Sequence, residues 1–335
     1  MKVAILGAGS WGTALSMVLA RAGHTIRIWA RESEIAYHIN NFHENSIYLT
    51  GVTLADTIVS DTEIKDCLKD AELVVFAIPS HAMREIAEQA KPHLRGNEVI
   101  VNVAKGIEND TFMTMSQVLV EVLDGKIIED HIGTLSGPSH AEEVSKFKPT
   151  VVAAAAYSRS TAHLIQKTFM TPMFRVYVNH DILGVEIAGS VKNIIAIDAG
   201  IIDGLDLGDN SKAALLTRGL SEMRRLGTRL GASTDTFSGL AGLGDLIVTC
   251  TSQHSRNRHV GYHLGKGEKL DDIISHMKMI AEGVKTTQSV YFWAKELNVE
   301  MPLTNTTYQI LFENMDPKDA VYELMTRNPK EEILS

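Results

Sequence analysis

Residues 5–12, Ile-Leu-Gly-Ala-Gly-Ser-Trp-Gly, lead from an apolar strand-like run directly into an amphipathic helical stretch. That setting gives the G-x-G-x-x-G spacing its meaning. Gly7 permits a tight turn, Gly9 lets a pyrophosphate approach the backbone, and Gly12 lets the helix pack closely on the strand. The first amides of the helix then face a diphosphate. A chain that starts this way is committed to a strand–helix–strand unit and hence to a parallel sheet.

The next 170 or so residues fit that commitment. Short apolar runs at Val3–Leu6, Thr25–Trp29, Leu73–Ile78, Val99–Val103, Ile132–Leu135, Val151–Ala155 and Phe174–Val178 alternate with helical patterns such as SHAMREIAEQAKPHL and TFMTMSQVLVEVLDG. Most are apolar on both faces, as strands covered on both sides must be. Beyond about residue 180 the strand signals stop. SKAALLTRGLSEMRRLGTRLG places Leu216, Leu220, Met223 and Leu230 on one helical stripe ending at Gly231, and LDDIISHMKMIAEGVKTTQSVYFWAKELN also has helical spacing. The expected fold is therefore α/β: a Rossmann-like, doubly wound, mostly parallel sheet over residues 1–179, followed by an all-α domain over 180–335. No Pro/Ser linker separates the halves, so they should pack closely around a cleft.

Composition limits what such a cleft serves. The 335 residues carry a net charge of -9, which argues against nucleic acid as the main partner and requires a local basic pocket for any anionic substrate. Cys67 and Cys250 make no disulfide framework and no zinc spacing; they fit small apolar core residues in a reducing cytoplasm. The N-terminal apolar run is too brief for a signal peptide, no run approaches a membrane span, and no metal site is expected.

The second strand ends at Ala30-Arg31-Glu32. An acidic residue about 20 positions past the turn usually bonds the ribose 2′-hydroxyl of NAD. Here Arg31 suits the 2′-phosphate of NADP(H), while adjacent Glu32 still suits the hydroxyl of NAD(H). A solvated surface arginine is the plainer alternative. Three further strand ends carry Pro79-Ser80, Ala104-Lys105-Gly106 and Ser136-Gly137-Pro138-Ser139 to the same rim. Lys105 there suits a phosphate or a carbonyl, and Ser139 suits either an anion or a helix cap. In the helical half, Lys192 and Asn193 interrupt an apolar, glycine-containing helix, where a lysine is either functional or snorkelling at the edge. Ser255-Arg256-Asn257 suits a phosphate and a hydroxyl. Glu282 precedes Gly283 in a third polar cluster. His180, Asp181, His254 and His259 lie near these stretches without an assignable role.

Together the motifs GAGSWGTAL, AKGIE, LSGPSHAEEV, GVEIAGSVKNIIAIDAGIIDGLDLGDNSKAALLTRGLSEM, FSGLAGLGDLIVTCTSQHSRN and AEGV resemble the bacterial NAD(P)-dependent glycerol-3-phosphate dehydrogenases, in order and over essentially the whole chain. The resemblance implies reversible hydride transfer between NAD(P)H and dihydroxyacetone phosphate, giving sn-glycerol 3-phosphate, which feeds phospholipid synthesis, and a homodimer; composition already points to the cytoplasm. It implies cofactor contacts at Ser10, Trp11, Arg31, Lys105, Ala141, Arg256, Ile280 and Glu282, beside the turn glycines Gly7, Gly9 and Gly12. It implies substrate contacts at Lys105, Gly137, Ser139, Lys192, Asp245, Ser255, Arg256 and Asn257, with Lys192 as the acid/base. A β-hydroxyacid or ketopantoate-type dehydrogenase is the enzyme alternative, and a nucleotide-sensing protein without catalysis is the other. The SRN cluster favours a phosphate ester over a bare carboxylate.

Overall fold

A computed structural model describes residues 1–277 and 281–332. Its strands, in chain order, are β1 (Lys2–Leu6), β2 (Thr25–Trp29), β3 (Glu44–Asn45), β4 (Leu49–Thr53), β5 (Ile58–Asp61), β6 (Leu73–Phe76), β7 (Val99–Asn102), β8 (Ile132–Ser136), β9 (Thr150–Ala156) and β10 (Phe174–Asn179). Eight of them form one sheet in the order β10-β9-β8-β7-β6-β1-β2-β5. All pairings are parallel except β8 with β9. Strand order reverses at β1, which pairs with β2 on one side and β6 on the other. Ligands of such sheets bind at this reversal, outside the carboxyl ends of the strands. The central strands β6 and β7 are buried throughout, because helices cover both faces.

Two elements escape the sequence pattern. Edge strand β5 alternates buried and exposed residues over only four positions, too short a run to stand out from a loop. The antiparallel pair β3–β4 is mostly solvent-facing, with Asn45 and Leu49 buried.

After β10 every regular element among the described residues is helical. The central helix, Ile182–Gly204, is buried nearly all round, as its all-round apolar sequence requires. The following helix, Gly208–Arg229, buries Leu215, Gly219, Met223 and Leu226; Leu216, Leu220 and Leu230 only flank the same core. Met223 is buried as expected, while the rest of the buried stripe runs one residue to the side of the expected one. Gly219, which counts as no apolar residue in a periodicity, sits directly against Ile195. No described helix is long and apolar enough to cross a membrane.

The contact that sets the site is the crossing of Ile182–Gly204 with Arg256–Gly265. A Cβ on Gly261 would fall 1.8 Å from the Ile197 carbonyl oxygen, and one on Gly200 would fall 2.0 Å from that of Arg258. Backbone meets backbone there, which fixes Asn193 relative to Asn257 one turn away. Gly261→Ala should therefore force the helices apart and cost about 2–3 kcal/mol, read as a lower urea midpoint. Wild-type stability would mean that the helices do not meet at this spacing.

Candidate active site between the sheet and the helices

A cleft of about 580 Å³ opens at the carboxyl ends of β1, β2, β6, β7 and β8 and is closed on its other side by the helical half, a volume suited to a cofactor and small substrate. At one end lies the glycine turn. Gly7 has φ +120°, and a Cβ on it would meet the Ala77 oxygen at 2.4 Å; a Cβ on Gly12 would lie 2.0 Å from the Gly7 oxygen. Gly9, by contrast, has nothing within 4 Å on its Cβ side. Two glycines are thus needed for packing, and the middle one leaves space. Helix Ser10–Arg21 starts there with no side-chain cap. Open backbone and an uncapped helix start fit a dinucleotide diphosphate.

Gly7, Gly9, Ser10, Trp11, Arg31, Lys105, Ala141, Arg256 and Glu282 all line the cleft. Gly12 lies behind the turn, and Ile280 lies outside the described residues. Arg31 and Glu32 pair with each other at 3.0 Å at the end of β2, with Arg31 strongly exposed. Glu282 accepts hydrogen bonds from the Ser80 amide (3.1 Å) and the Ser80 hydroxyl, so it joins the end of β6 to the helical half as well as lining the cleft.

At the other end three distant residues converge. The Asp245 carboxylate lies between two ammoniums: Oδ2 is 2.6 Å from Lys105 Nζ, and Oδ1 is 3.1 Å from Lys192 Nζ. Lys105 also donates to the Gly137 carbonyl at 3.1 Å. Lys192 donates to Thr249 Oγ1 at 2.6 Å, and that hydroxyl donates to the Asp245 carbonyl at 2.6 Å. Lys192 is thus held by one hydrogen bond and one ion pair, and its side chain lines the cleft. Burial pushes the Lys192 pKa down to about 8; Asp245 opposes the fall and the Lys105 charge adds to it. Burial pushes the Asp245 pKa up, but the two lysines outweigh it and hold the group below the usual carboxylate range.

The remaining residues separate by role. Ser139, Arg256 and Asn257 line the cleft; Gly137 and Ser255 do not. Gly137 acts through its carbonyl, which also accepts from the Ser139 hydroxyl at 2.9 Å. The Ser255 hydroxyl caps helix Arg256–Gly265 by accepting from the Arg258 amide at 3.2 Å. The Asn257 side chain donates to Asn193 Oδ1 and accepts from the Gly283 amide, both at 2.9 Å. Arg256, exposed at the first position of that helix, has no ion pair among the described residues.

Thr249 and His140 also line the cleft without a clear mark in the sequence. Thr249 lies one helical turn after Asp245, a spacing that carries a signal once Asp245 is suspected of holding a lysine. His140 lines the cleft with its ring 5.8 Å from that of His254, and burial and the Lys192 charge hold its pKa below the usual histidine range. Its neighbours in the sequence point only to a turn. Cys67 and Cys250 are buried and unpaired, and burial pushes both thiols up.

Two family models, described as the N-terminus and the C-terminus of NAD-dependent glycerol-3-phosphate dehydrogenase, match residues 2–162 and 181–322. The chain belongs to this family. It is 52% identical over 333 residues to the glycerol-3-phosphate dehydrogenase [NAD(P)+] of Chlorobium limicola, covering 99% of this chain and 100% of that one. It is 49% identical to a namesake from Salinibacter ruber, covering 99% and 97%. The crystal structure of glycerol-3-phosphate dehydrogenase from Coxiella burnetii superposes with a TM-score of 0.93 at 39% identity, covering 97% of this chain and 99% of that one. A ketopantoate reductase from Ralstonia eutropha shares the fold, with a TM-score of 0.61 at 14% identity, covering 96% and 100%.

The lysine pair generates a direct test. Because Asp245 raises the Lys192 pKa, Asp245→Asn should move it below about 8, read by NMR titration of the Lys192 Cε in labelled protein. An unchanged or higher value would show that the carboxylate does not govern this ammonium.

Proposed function

We propose that the cleft reduces dihydroxyacetone phosphate to sn-glycerol 3-phosphate, reversibly, with NADH or NADPH. Residues 1–179 hold the cofactor and residues 180–335 supply most of the substrate site. When bound, the reduced nicotinamide supplies a hydride to the C2 carbonyl carbon. The observation that carries the reading is the buried Lys192 ammonium, which lines the cleft and is held there by Thr249 and Asp245.

Negative charge develops on the carbonyl oxygen as reduction proceeds. Lys192 faces that charge, stabilises it and gives up its proton, and a pKa of about 8 lets the lysine donate and recover a proton near neutrality. Lys105 adds a second positive charge, and Asp245 holds the two ammoniums together against their repulsion. Arg256 grips the substrate phosphate, with Ser139 beside it and Asn257 holding the Arg256 helix in place. The exposed Arg256 guanidinium in the cleft favours a phosphate ester over a 3-hydroxy acid, since its fork of donors matches phosphate oxygens. The protein works as a cytoplasmic homodimer whose product enters phospholipid synthesis.

Consumption of NADPH with dihydroxyacetone phosphate, followed by nicotinamide absorbance, tests the activity itself; oxidation of 3-hydroxy acids in preference to glycerol 3-phosphate would replace it with the other dehydrogenase class. Lys192→Ala should lower kcat by about 10³-fold while dinucleotide binding stays intact. Turnover within tenfold of wild type would remove Lys192 from the chemistry. Arg31→Ala should weaken NADPH binding by about tenfold, the worth of a charge-assisted contact to phosphate, and leave NADH within about twofold. Equal losses for both cofactors in a calorimetric titration would place Arg31 elsewhere than at the 2′-phosphate.

A further inference from the structure

Asn45 stands in the short strand β3, 37 positions from the glycine turn in sequence, and is 1% exposed. Its Nδ2 donates to the Ala8 carbonyl and to Thr13 Oγ1, both at 2.8 Å, and its Oδ1 accepts from the Tyr48 amide at 3.1 Å. Both amide donors and an acceptor site are in use, and all three partners belong to the wall of the cofactor end: Ala8 and Tyr48 line the cleft, and Thr13 is in the helix that begins there.

The residue between Gly7 and Gly9 is a weak point for any phosphate-binding turn. Glycine on either side leaves the two peptide planes around Ala8 with the most freedom any residue type allows. Rotation of the Ala8–Gly9 peptide would turn a carbonyl, with its partial negative charge, towards the place where the turn should present N–H groups. That peptide is trans, so a carbonyl anchored on Asn45 puts the Gly9 N–H on the opposite side of the plane, away from the hairpin.

We propose that Asn45 is a positioning residue for the dinucleotide: from outside the turn it holds the Ala8 carbonyl back, so that the glycine loop meets the diphosphate with amides, and it fixes Tyr48 as part of the same wall. The proposal rests on the cleft binding NAD(H) or NADP(H). Since coupling is reciprocal, bound dinucleotide steadies the hairpin in turn.

Asn45→Asp separates this role from general packing. The aspartate has the same shape and keeps the acceptor for the Tyr48 amide, but it sets an oxygen against the Ala8 carbonyl. Asn45→Ala removes the bonds without introducing charge, and serves if the aspartate does not fold. Asn40→Ala is the control: Asn40 holds the neighbouring helix to β5 through the Ser60 amide (2.8 Å) and carbonyl (2.9 Å) and is not in the cleft. Calorimetric titration of the substrate-free protein with NADH and NADPH should show Kd raised about tenfold or more by both Asn45 variants, the consequence of one lost or unsatisfied buried bond, and within about twofold for Asn40→Ala. Hydrogen exchange at the Tyr48 amide should slow when NADH is added to the wild type and not to Asn45→Ala. Asn45 variants that bind like the wild type, or that weaken binding no more than Asn40→Ala at an equal loss of Tm, overturn the proposal alone. A wild-type protein that binds neither dinucleotide overturns the cofactor reading and the proposal with it.

Discussion

The Asp245 carboxylate between the Lys105 and Lys192 ammoniums is the interaction on which the rest of the site depends. Its members come from the end of β7, the middle of the central helix and the start of helix Asp245–Thr251, so the triad forms only when sheet and helical half are docked. Two ammoniums without the carboxylate would repel each other in a poorly hydrated cleft, and a buried charge left unpaired is strongly destabilising. With the carboxylate the cluster is stable and keeps one net positive charge. On a chain of net charge -9, that local surplus is what makes an anionic substrate welcome.

Holding such a cluster demands rigid support, and the fold supplies it by bringing backbones close together. The central helix has no exposed face, and its glycines let helix Arg256–Gly265 lie directly against it. Hydrogen bonds then run from Asn193 to Asn257 to the Gly283 amide, one residue after Glu282, which clasps Ser80 at the end of β6. The same chain of contacts that orients Arg256 thus returns to the sheet. These links span residues 80 to 283, yet each is short.

Much of this was legible in the sequence, for physical reasons that differ by element. Strands buried on both faces are continuous apolar runs, and the glycine turn has a local steric cause at each position, so both are visible one residue at a time. Strand β5 and the β3–β4 hairpin were not, because β5 alternates over only four positions and the hairpin buries only Asn45 and Leu49. Asn45 was hidden for the same reason, since nothing in ENSIYLTGVT marks one asparagine as the partner of a carbonyl 37 positions earlier. Ser255-Arg256-Asn257 shows a different limit. Helix capping and anion binding call for the same residue types, and only the fold divides them: the serine caps, the asparagine braces from the cleft wall, and the arginine faces the cleft without an ion pair among the described residues.

Arg31 and Glu32 carry that ambiguity into the choice of cofactor. A lone acid at the end of β2 would select the ribose hydroxyl, and a lone arginine would select the 2′-phosphate. Here each neutralises the other through a solvent-exposed pair, and such pairs are worth about 1 kcal/mol or less. Either ligand therefore separates them at small cost: a phosphate takes the arginine and leaves the acid to water, while a hydroxyl takes the acid and leaves the arginine to water. Neither residue is buried deeply enough to impose a large penalty on the wrong partner, which fits the proposed use of both dinucleotides at this strand end.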